Sequence, residues 1–395
     1  MAEDTIKNKK KLKIGILTFW WSNDNYGQLL QCYALQKYLR DAGYDAFLIR
    51  YDSRNDYVRT PFLLRCFKAL NLVLLCRFFL HKIQHKINSK KVLEESKLND
   101  RHFDDFRVKY IVQSEKLYTS YNQLKENPPE ADVYIVGSDQ VWNFWQSRLS
   151  QCWNLVHAYF LDFGSKQTKR ISYAASWGKT ELPEDFIKEI SPLLKNFDYV
   201  SVREKIGIDL CRKCGYENAE FRCDPTLLLT SDNYRLLYKE NETLEDTSKR
   251  KNPYLFLYML NNTCDFDIQK VYDFAAQKNL EVVYVTGNSK IDKYKKTFAT
   301  IPQWLSLIDN AEYVVTNSFH CCVFSLIFAK NFAAVPLTKT MAGMNSRIET
   351  LCEIFGIKPR WVTSEFSDDF SVLEEKVNPV LQIENDFDLE EVLNV

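Results

Sequence analysis

The chain of 395 residues carries 52 Lys+Arg against 52 Asp+Glu, with 46% hydrophobic and 26% charged residues. That length argues for two domains rather than one core, and the balanced charge excludes nucleic acid as the main partner, leaving any basic surface local. Eleven cysteines without a signal-like start fit reduced thiols in a cytoplasmic enzyme better than a disulfide scaffold. Cys211 and Cys214 form the only CxxC, which a helix ending near them explains, and the five histidines are scattered. No metal site is expected.

Residues 1–11 read as a mobile basic arm. KIGILTF from Lys13 is a first buried strand, the turn WWSNDNYG follows, and a helix from Gln28 ends at Gly43 before a strand from Asp45 to Tyr51. This is a nucleotide-fold start without the glycine-rich phosphate turn. Asn25, Tyr26 and Gly27 stand at the strand end, as a plain turn or as part of a sugar site.

From Tyr57 to Leu93 there is no acidic residue, and basic and bulky apolar side chains alternate. Two readings stand for 60–91: an interfacial segment on anionic lipid, or a helical hairpin packed on the core. The longest apolar run, between Lys68 and Arg77, is eight residues and too short to span a bilayer. Localisation is therefore read as cytoplasmic, with peripheral contact on the inner membrane face as the further option. A helical stretch from Glu94 to Arg107 completes an insertion at about 57–110.

A strand from Ala131 to Val136 opens into Gly137, Ser138, Asp139, Gln140, Val141, Trp142 and Asn143, where Asp139 reads as a catalytic or sugar-binding carboxylate or as a helix cap. Strands are expected at Ala158–Phe163 and Arg170–Ala175, the second ending in Ser176. A helix from Pro183 to Leu194 and a strand from Tyr199 to Val202 follow, delivering Arg203 and Glu204. Arg203 reads as a partner of Glu204 or of a ligand oxyanion.

Residues 237–252 are polar and read as a linker between an N-terminal domain, 12–236, and a C-terminal domain, 253–365. The tail 366–395 is read as helical and packing back on the N-terminal domain. After the linker, strands from Tyr254 and Glu281 alternate with helices near 267–278 and 302–309. The strand from Tyr313 then runs through Asn317, Ser318 and His320 into an apolar helix. Seventeen residues between Glu312 and Lys330 contain no Asp, Glu, Lys or Arg. His320 is then either a proton carrier at a helix N-terminus or a core histidine bonded to a backbone carbonyl. The alternation on both sides of the linker gives an α/β class: two doubly wound, Rossmann-like domains facing a cleft.

NYGQLLQCYALQ, GSDQVWN, ISYAASWG, SVRE, DPTLLL, NSFHCCVFSLIFAKNF and NSRIETL occur in this order over most of the chain. Together they resemble the polysaccharide pyruvyl transferase family. The resemblance implies a fold similar to GT-B glycosyltransferases, phosphoenolpyruvate as donor substrate with no cofactor, and a saccharide acceptor, polyprenyl-diphosphate-linked in one version. The product would be a pyruvate ketal on a bacterial surface glycan. A sugar-nucleotide glycosyltransferase of the same shape, or an idle glycan-binding member, are the alternatives. The resemblance places the donor on His320 and Arg203, with Asn317 and Ser318 beside it. Many members carry an Arg where this chain has Ser318 and a Gly where it has Cys321, so Lys339 or Arg347 is nominated for the missing charge. Asp139 is assigned to the sugar hydroxyl, and Asn25, Tyr26, Gly27, Ser138, Gln140, Trp142, Asn143 and Ser176 to the acceptor side.

Overall fold

Parallel strands are covered on both faces and so read as unbroken apolar runs, and KIGIL, VYIV and YLFLYM each enter a sheet as such a run. The computed structural model describes residues 11–56, 94, 99–144, 153–240, 250, 252–260, 266–287, 290, 292–362, 370–382 and 387–393, with backbone only at Lys339 and Thr340. The basic arm up to residue 10 and the stretch 57–93, with its membrane option, lie outside the described residues.

The first unit runs β1 (Lys13–Leu17), α1 (Tyr26–Asp41), β2 (Asp45–Leu48), α2 (Phe103–Tyr110), α3 (Tyr121–Glu126) and β3 (Val133–Val136). It continues through α4 (Trp153–Tyr159), β4 (Lys169–Ala175), α5 (Glu184–Leu194), β5 (Tyr199–Val202), α6 (Ile206–Lys213) and β6 (Glu220–Phe221) to α7 (Ser231–Lys239). Its six strands lie in the order β2-β1-β3-β4-β5-β6, all parallel. The second unit has β7 (Tyr254–Met259), α8 (Gln269–Gln277), β8 (Glu281–Thr286), α9 (Ile301–Asp309), β9 (Tyr313–Thr316), α10 (Phe319–Ile327), β10 (Asn331–Ala334) and α11 (Ser346–Ile354). Its order, β8-β7-β9-β10, repeats the first four strands of the other sheet. Each sheet therefore reverses its winding once, between β1 and β3 and between β7 and β9. Ligands of open α/β sheets bind at such points, outside the carboxyl ends of the strands. The two crevices are marked by cross-links, Thr18 Oγ1 donating to Ser138 O at 3.0 Å and Leu260 N donating to Asn317 Oδ1 at 2.9 Å.

Two sequence expectations change. The expected strand 158–163 is the end of α4 followed by a turn, with Leu161 at φ 55°; a short apolar run does not by itself separate a buried helix end from a strand. β10 was not expected. Across the polar segment the two units stay in contact. Helix α7 packs on α9, with Arg235 Nε and Tyr238 Oη on Asp309 at 2.8 and 2.7 Å. The C-terminal stretch divides its packing: Phe370 stacks on Phe274 of the second unit, while Phe387 lies 4.6 Å from the Tyr173 ring and takes a hydrogen bond from Tyr38 Oη.

One core joins the two units. Tyr26, at the start of α1, stacks on Trp304 of α9 at 5.0 Å and 6°, edges onto Tyr258, and donates its hydroxyl to Ala299 O at 2.7 Å. The α1 N-terminus is thereby fixed against the second sheet.

Candidate active site

The site is assembled from strand ends. β5 carries Arg203 and Glu204, β3 carries Ser138 and Asp139, β6 leads to Asp224, and β9 leads through Asn317 and the N-cap Ser318 into His320 on the first turn of α10. These are the polar residues that a chain leaving a buried strand exposes first, and here the two units bring them into one buried cluster. Asp224 is its hub. Its Oδ1 accepts from Thr226 N at 3.1 Å and Thr226 Oγ1 at 2.7 Å, capping the turn Pro225–Leu228. Its Oδ2 accepts from Arg203 Nη1 at 2.8 Å and Ser138 Oγ at 3.3 Å, and lies 3.4 Å from His320 Nε2. Burial raises the Asp224 carboxyl, but His320, Arg203 and Thr226 outweigh it and hold it well below the ordinary carboxylate range.

Arg203 faces three carboxylates: Asp224, Glu204 at 3.5 Å and Asp139 at 3.9 Å. Burial disfavours its charge, yet those neighbours keep the guanidinium above its usual value. Glu204 accepts from Ser176 Oγ at 2.5 Å. Asp139 sits at φ 66°, and its Oδ1 accepts from Gln140 N at 2.8 Å.

The second cation is Arg347, at the head of α11. Arg203 and Arg347 flank the Phe319 ring, with guanidinium carbons 4.7 and 5.6 Å from its centroid. Arg347 donates Nε to Met344 O at 3.1 Å, and among the described residues no carboxylate comes within ion-pair distance of it. Burial, and then the charge of Arg203, draw it down to about 10. Arg203 Nε and Nη2, Glu204 Oε2 and His320 Nε2 are buried without a hydrogen-bond partner among the described residues. Native interiors rarely leave so many orphans together without a functional reason.

His320 is 7% exposed, and its near neighbour is a carboxylate rather than a backbone carbonyl. Gly27 closes the other side of its ring, because a methyl group at Gly27 would overlap the imidazole. The first turns of α1 and α10 thus meet face to face at the histidine.

Several acceptor candidates are placed otherwise. Tyr26 is fully buried in the inter-unit stack, and Trp142 is fully buried against Phe160 and Trp177, donating its indole N–H to Tyr159 O at 3.1 Å. Both are core residues. Asn25 caps α1 through Gln28 N, and Gln140 accepts from Asn143 at 2.9 Å beside Gly178. Asn317 and Ser318 hold the β9–α10 turn, Ser318 accepting from Cys321 N. Cys321 is fully buried. Lys339 opens the 3-10 turn Lys339–Asn345. Asp224 was missed because an Asp-Pro pair after a short strand reads as a turn; its signal was position, one strand end beyond Arg203. A surface groove of about 320 Å³ on the back of α1, lined by Tyr33, Lys37, Tyr110 and Leu236, lies away from this cluster. Among the described residues no group of His, Cys, Asp and Glu could hold a metal ion.

Two doubly wound parallel sheets, joined so that their carboxyl edges share one buried polar cluster, define a GT-B-like, two-unit α/β protein. UDP-GlcNAc 2-epimerase of Methanocaldococcus jannaschii, in complex with UDP-GlcNAc and UDP, has this fold: TM-score 0.50 at 12% identity, over 96% of this chain and 97% of that one. The UDP-N-acetylglucosamine 2-epimerase of Rickettsia bellii aligns at TM-score 0.45 and 10% identity, over 83% and 80%. No curated protein matches the chain. The family model for polysaccharide pyruvyl transferase matches residues 25–337, from the cap of α1 to just past β10, and the chain belongs to that family.

Proposed function

We propose that the protein transfers pyruvate from phosphoenolpyruvate to a sugar of a bacterial surface polysaccharide, or of its lipid-linked precursor, forming a pyruvate ketal. The observation that carries this reading is His320, a buried histidine at a helix N-terminus beside the Asp224 carboxylate, next in the chain to Phe319, whose ring Arg203 and Arg347 flank. The donor presents a phosphate and a carboxylate, which call for cations and free helix N–H groups. Arg347 and the first turn of α10 supply these, since Arg203 already answers three carboxylates.

In this mechanism His320 protonates the methylene carbon of the enol, leaving an oxocarbenium-like centre at the carbon that bears the phosphate. A sugar hydroxyl adds to that carbon as Asp139 takes its proton. A second hydroxyl then displaces inorganic phosphate and closes the ketal, its proton leaving with the phosphate while the proton on Asp139 returns by way of solvent to His320, so one donor and one diol give one ketal and one phosphate. Asp139 suits the base role because, among the described residues, its Oδ2 takes no hydrogen bond.

The test is incubation of the protein with a lipid-linked saccharide and either phosphoenolpyruvate or a nucleotide sugar, read by mass. A gain of one pyruvate less one water, only with phosphoenolpyruvate, is expected. A gain of one hexose from the nucleotide sugar overturns the reading.

A further inference from the structure

The segment from Thr18 to Gly27 has its two ends on the two halves of the site. Thr18 Oγ1 donates to Ser138 O, next to Asp139, and accepts from Gln31 Nε2 at 3.0 Å. Gly27 packs on the ring of His320. The residues between begin with three consecutive aromatics, Phe19, Trp20 and Trp21, all half-buried at the carboxyl edge of β1. Trp20 is turned inward. Its indole N–H goes to Tyr51 O at 3.0 Å, and Arg107 lies over its ring and donates to its carbonyl.

Phe19 and Trp21 form a pair of their own, centroids 5.0 Å apart at 60°, and Phe19 is backed edge-on by Tyr159 at 5.3 Å. The pair packs on the core of the first unit and leaves part of its surface open. Among the described residues the indole N–H of Trp21 makes no hydrogen bond. Three residues of extended chain reach at most about 11 Å, so the Trp21 Cα lies within that distance of the Thr18 Cα.

We infer that Trp21, backed by Phe19, is the acceptor subsite, where a hexopyranose lays its C–H face on the indole and accepts the hydrogen bond of the indole N–H through a hydroxyl oxygen. This rests on the reading of the protein as a saccharide-modifying enzyme. An aromatic with an apolar face and one polar handle suits a sugar, whose ring is apolar on its faces and polar at its rim. The subsite also takes over the role that Tyr26 and Trp142, both sealed in the core, do not fill.

Saturation-transfer difference NMR on the full chain tests it, with methyl glycosides of glucose, galactose, mannose and N-acetylglucosamine as probes and phosphoenolpyruvate in the same tube. The wild type is expected to saturate the ring protons of at least one glycoside. Trp21→Ala should weaken that glycoside about two- to tenfold, and Trp21→Phe should restore most of the signal. The vinyl protons of phosphoenolpyruvate should respond equally in all three proteins, which also reports that the variants are folded. Equal glycoside response in the wild type and Trp21→Ala, or no glycoside response in the wild type, overturns the subsite. A glycoside response that depends on Trp21, with no response from phosphoenolpyruvate, leaves the subsite standing and removes the donor reading instead.

Discussion

The two halves of the cluster differ in charge and in how far they are satisfied. The N-terminal half brings Asp139, Glu204 and Asp224 around a single Arg203. The C-terminal half brings His320, Arg347 and the first turn of α10, and among its described residues at the cluster there is no carboxylate. One half is a braced set of anions, and the other holds Arg347 with no carboxylate within ion-pair distance among the described residues. On the function proposed above, an anionic donor would lie on the second and a neutral hydroxyl, in need of a base, on the first. This division follows from the electrostatics of a buried site, where an unpaired charge is costly and a ligand of opposite sign relieves it.

The largest expected effect comes from the cationic half. His320→Ala should lower turnover by about two to four orders of magnitude, the usual range for a lost general acid, with a lower thermal midpoint from the buried ring lost beside Gly27 and Asp224 but a folded protein. The ring removed contacts Gly27 and Asp224 and caps no element. Wild-type turnover would return His320 to a packing role.

Next is the brace. Breaking a buried charge network by removing one partner costs about 3–5 kcal/mol, and Arg203→Lys, which keeps one point charge but not the two-pronged reach, should lose a large part of that. Chemical denaturation should show the loss, with phosphoenolpyruvate affinity little changed because Arg347 remains. If instead affinity collapses and stability holds, the donor sits on Arg203 and the division between halves is wrong. Asp139→Asn should do neither, lowering turnover about a hundredfold as a lost base with donor binding and stability near wild type.

What the sequence disclosed has a physical limit visible in these residues. The strands Tyr199–Val202 and Tyr254–Met259 were legible because both faces are covered and the apolar run is bounded by polar turns. His320 and Arg203 were legible because polar residues at strand ends stand out against such runs. Burial of an aromatic was not legible: Tyr26 and Trp142 share the composition of a sugar platform, and only the packing of another unit or helix against them shows that they are core. Trp21 shares it too and stays half-open. Asp224 was hidden for a related reason, since its partners come from residues 138, 203 and 320, separated by long stretches of chain.

The carboxylate hub adds a pH signature. Asp224 titrates well below its unfolded value, so its contribution to stability is complete above the ordinary carboxylate range, about 4, and fades as pH falls below it. The stability difference between wild type and Asp224→Asn should therefore be constant from about pH 7 to 5 and narrow toward pH 2. A difference that does not change with pH would mean that Asp224 acts by shape and hydrogen bonding alone.

The smallest effect tests the seam between the halves. Tyr26→Phe keeps the ring on Trp304 and removes one hydroxyl, which now donates to Ala299 O and lies 3.4 Å from Arg101 Nη1. Arg101 retains its stronger bond to Thr286 O at 2.7 Å, so the change mainly strands one buried carbonyl. A cost of about 1 kcal/mol follows, read as a lower denaturant midpoint with the slope unchanged. Because the stack that fixes α1 survives, Gly27 should still meet His320, and turnover should stay within a factor of about three. A sugar ligand at this position would behave in the opposite way, leaving the midpoint alone and raising the Michaelis constant for the saccharide. The two readings of Tyr26 thus predict changes in different observables, and a stability loss with unchanged saccharide kinetics assigns the ring to the seam and leaves acceptor recognition to the half-open aromatics past β1.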